Sequence, residues 1–163
     1  MIGPAAGIAR QNDIEGRGDV LVYTTSSLNE DLEVTGPISL ILYVSTTAPN
    51  TDFTAKLLDV HQDGSAFNIS DGILRRSYQE AQAPSASEKV YEIHLDLWPT
   101  SIVLFKGHRI RLEVSSSNFP RFDRNPNNGN RIATEMNAIS AKQTVSHDPK
   151  YPSRLIMPII PTR

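Results

Sequence analysis

The chain has 163 residues, 39% of them hydrophobic and 21% charged, and a formal net charge of -2. That length supports one globular core able to take roughly 68–70% of the unfolded surface out of water, and the near-neutral charge gives no reason to expect nucleic acid or a membrane as partner. Cysteine is absent, which excludes thiolate chemistry and a disulfide-stapled secreted scaffold and allows a reducing, cytoplasmic setting.

Residues 1–18 are small, polar and glycine-bearing, without a usable period, and read as a linker or N-terminal arm. They have neither the basic start of a secretory signal nor a continuous apolar stretch. The domain proper is expected over residues 19–163. Val20 to Thr24 forms a short strand, and Ser26 to Asp31 a turn in which Ser27 and Glu30 have the spacing of a capping box around one helical turn. Gly36-Pro37 then opens a run, Ile38 to Thr46. Ile38, Leu40, Leu42 and Val44 share one face of it while Ile41 and Tyr43 take the other, so it reads as a central strand. Phe53 to Gln62 and Ser65 to Ser70 flank Asp63-Gly64, a two-residue turn that predicts a tight hairpin.

Gly72 to Gln79 is a further strand, and Glu80 to Glu88 has the composition of a surface loop. Over Lys89 to Leu97, Tyr91, Ile93, Leu95 and Leu97 oppose Glu92, His94 and Asp96, until Trp98-Pro99 is expected to end the strand. Ile102 to Phe105 follows, then a strand in which Ile110, Leu112 and Val114 alternate with Arg109, Arg111 and Glu113. A long loop from Ser116 to about Glu135 leads to strands near Ala138 to His147 and Arg154 to Ile159. Short strands at near-regular spacing, with scarcely a helical period, predict an all-β sandwich or barrel.

The chemistry of a serine hydrolase needs a nucleophile on a sharp G-x-S-x-G turn with a histidine base. Ser115, Ser116 and Ser117 follow a strand but no glycine frames them. His61, His94, His108 and His147 therefore read as structural or solvent-exposed histidines. Asp123, Asn125 and Asn127 alternate as in a calcium loop, but Asn128 stands at the glycine position and no glutamate follows where a bidentate ligand would fall. An Asx-turn network is expected instead, with Asp123 accepting from Arg121 or Arg124. Asp59 and Asp63 read as polar-face and turn residues. Phosphate loops, nucleotide fingerprints and zinc spacings are missing, so no catalytic residue, metal or cofactor is assigned.

Gly107-His108-Arg109-Ile110-Arg111-Leu112-Glu113-Val114, followed by Ser116-Ser117-Asn118-Phe119-Pro120-Arg121-Phe122-Asp123-Arg124-Asn125-Pro126, resembles the C-terminal domain of the X-Pro dipeptidyl-peptidase and cocaine-esterase (CocE/NonD) type serine hydrolases. Thr51-Asp52-Phe53-Thr54-Ala55-Lys56-Leu57, Asp71-Gly72-Ile73-Leu74-Arg75 and Leu97-Trp98-Pro99-Thr100-Ser101 carry the same resemblance. It implies a jelly-roll β-sandwich, galactose-binding-domain-like, that packs on an α/β-hydrolase catalytic domain of the same or a separate chain, shapes its substrate pocket and supports a homo-oligomer. In that family the triad belongs to the hydrolase domain. Gln11 to Arg17 resembles the segment leading out of that domain, so the chain reads as beginning at a domain junction. The candidate interface is Trp98, Phe119, Arg121, Phe122 and Asp123. Phe119 and Phe122 cannot both stay in water uncovered; they either anchor that interface or plug an open end of the sandwich. The alternative function is a free-standing carbohydrate-binding module, argued by fold analogy, in which loss of Trp98 would abolish sugar binding.

Overall fold

The computed structural model describes residues 7–77, 89–132 and 134–161. Its strands are β1 (Leu21–Thr24), β2 (Leu32–Thr46), β3 (Asn50–Val60), β4 (Ala66–Ser77), β5 (Tyr91–Leu104), β6 (Arg109–Ser115), β7 (Gln143–Ser146), β8 (Arg154–Ile156) and β9 (Ile159–Ile160), with one four-residue helix, α1 (Asn12–Glu15). They form two antiparallel sheets, one ordered β1-β6-β3-β4, the other with β2 between β5 and the short strands β7, β8 and β9. The loop expected over Glu80 to Glu88 lies outside the described residues.

The period-two patterns account for the core between the sheets. Ile38, Leu40, Leu42 and Val44 of β2 meet Ile93, Leu95 and Leu97 of β5, and across the gap Phe53, Ala55 and Leu57 of β3 with Ile110 and Val114 of β6. All are buried, and each large aliphatic or aromatic side chain so placed contributes about 1.5–3 kcal/mol. β2 is central, as its two apolar faces require: β5 runs along one side, and the C-terminal segment follows the other in three short pieces.

Several local expectations are corrected. β2 begins before Gly36-Pro37 and passes through it, and β5 runs on through Trp98-Pro99 instead of ending there. Pro37 lies opposite Pro99, so both strands lose a donor at the same rung, and the register shifts immediately afterwards. The Ser26 to Asp31 turn makes no helical turn; Leu28 N donates to His108 O and accepts at its own carbonyl from Gly107 N, which ties it to the start of β6. The hairpin joins β3 to β4 as expected, but only Gly64 of Asp63-Gly64 takes a positive φ, at 86°. The turn closes as His61 O accepting from Gly64 N and His61 N donating to Ser65 O, a three-residue loop.

Residues of the N-terminal arm lie along the outer face of the β1-β6-β3-β4 sheet. Gln11 N donates to Ala66 O, the Lys56 ammonium donates to Gln11 Oε1 at 2.8 Å, and Arg111 pairs with Glu15 at 2.5 Å. Leu58, Val60 and Ala66 form a second small buried cluster.

Candidate functional site

Alternation along β3 puts Asp52, Thr54 and Lys56 on the face away from Phe53, Ala55 and Leu57. In-register pairing then lines up three charged residues across three strands: Asp71 of β4, Lys56 of β3 and Glu113 of β6. Asp52, Asp71 and Glu113 are buried there, an unusual place for carboxylates, which need partners once water is removed.

The loop after β6 supplies three of those partners. Asn118 Nδ2 donates to Asp71 Oδ2 at 2.8 Å, and Arg121 pairs with Asp71 Oδ1 at 3.1 Å. Asn125 Nδ2 donates to Asn50 Oδ1 and to Asp52 Oδ1, while its own carbonyl takes the backbone N–H of Asn127. That is the expected Asx turn, but the ion pairs differ from expectation. Arg121 goes to Asp71, and Asp123 contributes its main-chain oxygen, which accepts from Arg75. Both ends of the loop are thus fastened to the outer face of β3 and β4.

What this fastening presents to solvent is aromatic. Phe119 is 64% exposed, with the Arg124 guanidinium over its ring at 5.7 Å, so it fills no core position. Phe122 is half-buried beneath Arg121 at 5.5 Å. Trp98, 61% exposed, sits in the bend of β5 at φ 66°, with its backbone N–H donating to Asp96 Oδ1. The bend packs on β4 through Ser70 Oγ, which donates to Leu97 O, and through Gly72, on which a Cβ would strike Asp96 O. Ser70 and Gly72 flank Asp71. The bend carrying Trp98 therefore meets this β4 segment from its inner side and the loop carrying Phe119, Arg121, Phe122 and Asp123 from its outer side.

Between the loop, the arm and the sheet lies a cleft of about 280 Å³ lined by Ile14, Arg17, Lys56, Glu113, Phe119 and Arg124. Glu113 Oε1 has no hydrogen-bond partner among the described residues. Burial pushes the Glu113 carboxyl up from its ordinary range despite the attraction of Lys56, and burial likewise pushes the Lys56 ammonium down. Sequence reasoning passed over Asp52, Asp71 and Glu113, because polar residues alternating with apolar ones read as a wet face. Their role depends on what covers them.

The Ser115, Ser116 and Ser117 run lies at the end of β6, and Ser115 Oγ hydrogen-bonds Ser117 O and shares a bond with Thr54 Oγ1. His94 pairs with Glu92 on the exposed face of β5, and His147 packs edge-on against Tyr23. None of these histidines is joined to one of these serines by a hydrogen bond among the described residues. Asp63 is the turn residue expected, accepting from Ser65 N. Asp59 is not on a polar face: it continues the inward face of Leu57 and is buried beside His108.

The fold is a two-sheet antiparallel sandwich with polar groups tied beneath the loop after β6 and with Trp98 and Phe119 exposed. The chain belongs to the family of X-Pro dipeptidyl-peptidase C-terminal non-catalytic domains, whose model matches residues 4–156. It is 45% identical over 159 residues to a cocaine esterase of Rhodococcus sp. (strain MB1 Bresler), covering 94% of this chain and 28% of that protein. Among solved structures it is similar to an aminopeptidase of a marine-sediment Thaumarchaeota archaeon, with TM-score 0.83, 30% identity, and coverage of 94% of this chain and 28% of that one. It is also similar to an α-amino acid ester hydrolase, with TM-score 0.82, 27% identity, and coverage of 94% and 27%. The chain thus spans little more than a quarter of the length of these relatives.

Proposed function

We propose that this chain caps the α/β-hydrolase domain of a serine hydrolase acting on acyl esters, docking through Trp98 and the Ser116 to Pro126 loop and walling one side of the substrate pocket. The observation that carries this reading is the loop itself. Its polar groups are spent on Asp71, Asp52 and Asn50, while Phe119 is left in solvent under Arg124. A loop fastened at both ends has less freedom to lose on association, and aromatic rings and arginine are enriched at interfaces. The 45% identity to a protein named as an esterase, against 30% to one named as an aminopeptidase, favours an ester over a peptide as substrate of the whole enzyme.

The test is a chimera in which this chain replaces the corresponding C-terminal domain of the Rhodococcus cocaine esterase. Ester hydrolysis well above that of the enzyme lacking the domain, with no turnover by this chain alone, is the expected result. A folded chimera no more active than the truncated enzyme overturns the reading. Saturable binding of a polysaccharide by the lone chain, lost in Trp98→Ala, would instead establish the carbohydrate-binding alternative.

A further inference from the structure

At the end of the sandwich far from the Asp52 pair, β3 runs out and β6 begins. The β3–β6 register pairs Asp59 with Ile110 and Val60 with Arg109; one rung further, His61 falls opposite His108. Asp59 and His61 are two residues apart and so share a face. Three side chains capable of binding a metal therefore converge there from two strand ends. His108 Nδ1 lies 2.8 Å from Asp59 Oδ1, and His61 Nε2 lies 3.5 Å from Asp59 Oδ2. The two imidazoles stack with centroids 4.5 Å apart and planes at 27°. One ligand atom from each of the three residues lies within 4.8 Å of the others.

We propose that Asp59, His61 and His108 form a binding site for a divalent transition-metal ion, Zn²⁺ in the first instance, with water completing a four-coordinate shell. The ligands would be His61 Nε2, His108 Nδ1 and one oxygen of Asp59. Metal–ligand bonds of about 2.0–2.2 Å in a tetrahedron place ligand atoms roughly 3.3–3.5 Å apart; the three ligand atoms lie within 4.8 Å of one another, so binding would draw them together and turn the stacked rings toward a shared ion. Two imidazoles and one carboxylate suit Zn²⁺, Ni²⁺ or Cu²⁺ and not the oxygen-seeking Mg²⁺ or Ca²⁺. The charges agree: Asp59 is only 8% exposed, and a cation held by neutral rings would compensate its buried negative charge better than two stacked imidazoliums, which would repel each other.

Aromatic neighbours fix the two rings. Phe67 packs on His61 with centroids 5.0 Å apart, and Phe105 meets His108 edge-on at 5.8 Å, so both rings are held by apolar neighbours. A cavity of about 450 Å³, bordered by Asp59 and His61 together with Ile8, Phe67, Ile69 and Ile102, reaches those two ligands from solvent. His108 follows Gly107, whose left-handed backbone, φ 83°, sets up the start of β6. A bound ion would fasten the β3–β4 hairpin to that point.

The 163-residue chain, freed of metal with a chelator, is titrated with Zn²⁺ by calorimetry, and its melting temperature is followed with Zn²⁺ or Mg²⁺ added. The expected result is saturable one-to-one binding of Zn²⁺, a melting temperature raised by several degrees at a hundredfold excess over Kd, no response to Mg²⁺, and four-coordinate visible bands with Co²⁺. His61 is partly exposed, so His61→Ala should stay folded and lose the response, while His94→Ala, on the far face of β5, should keep it. Failure of the parent chain to bind Zn²⁺, or an equal response from His61→Ala, overturns the proposal. The cluster would then be a carboxylate hydrogen-bonded to histidine and nothing more.

Discussion

Arg75 grips Asp52 with two parallel bonds, Nε to Oδ1 at 2.9 Å and Nη2 to Oδ2 at 2.7 Å, and with the same Nη2 donates to the main-chain oxygen of Asp123. One guanidinium thus closes the charge of a carboxylate only 1% exposed and anchors the loop that follows β6. Breaking a buried pair from one side costs more than making it gained, because the remaining charge is left without compensation. Arg75→Ala should destabilise the chain by about 3 kcal/mol, the low end of that range, since the Arg75 side chain is itself partly exposed. Arg75→Lys should recover only part, because an ammonium cannot reproduce the fork. Urea denaturation of both variants is the measurement, and equal stability of the two would contradict the bidentate account.

Gly72 is a position of close approach. A Cβ there would run into the carbonyl oxygen of Asp96, a backbone atom that cannot swing aside, and into a methyl of Leu97. Gly72→Ala should cost about 1–3 kcal/mol or more and loosen the contact of β4 with that bend. Gly18→Ala, at a glycine whose added Cβ would meet no atom, is the control expected to leave the melting temperature nearly unchanged.

Much of the sandwich was legible because a period of two survives wherever a strand buries one face, as in Ile38 to Val44 and Ile110 to Val114. The same parity could have placed Asp59 inward, since it lies two residues beyond Leu57, but a carboxylate is read as exposed by habit. Trp98 was not legible. Nothing local announces that a tryptophan, and not a glycine, will take φ 66° and let β5 run on. The charged row of Asp71, Lys56 and Glu113 was invisible for another reason. Its cover is the N-terminal arm and the Ser116 to Pro126 loop, neither of which has a period to read, so its burial is decided by tertiary contacts alone.

Glu113 makes that row sensitive to pH. Its folded-state carboxyl is raised, chiefly by burial, and the direction already includes the opposing pull of Lys56. A raised folded value means that the contribution to stability is fully present below the ordinary glutamate range and is lost as pH rises through the raised value. Lys56, lowered by burial, contributes fully only above its ordinary range and loses that contribution as pH falls through its lowered value. Both groups therefore weigh against the fold near neutrality. Glu113→Gln, which keeps the shape and removes the charge, should raise the melting temperature at pH 7.5 and give no advantage at pH 4. A gain that is the same at both pH values would show that the carboxylate charge is not the cause.

Trp98 offers the sharpest separation of stability from docking. A bulky L-residue in the left-handed region costs of order 1–3 kcal/mol and persists where the site needs its side chain, whereas glycine takes that backbone freely. The ring is 61% exposed, so little burial within the chain offsets the strain. Trp98→Gly should therefore leave the lone chain as stable as before or make it more stable, while lowering the ester hydrolysis of the chimera with the Rhodococcus hydrolase. Phe119→Ala, at an exposed ring, should behave the same way, with stability changed by about 0.5 kcal/mol or less. Phe122→Ala should differ, because its ring is half-buried beneath Arg121 and its loss lowers the melting temperature of the chain itself. Thermal melts of the lone variants set beside turnover by the matching chimeras decide the matter. If Trp98→Gly and Phe119→Ala destabilise the lone chain and the folded chimeras keep full activity, the two rings belong to the fold and the hydrolase domain is met by another face.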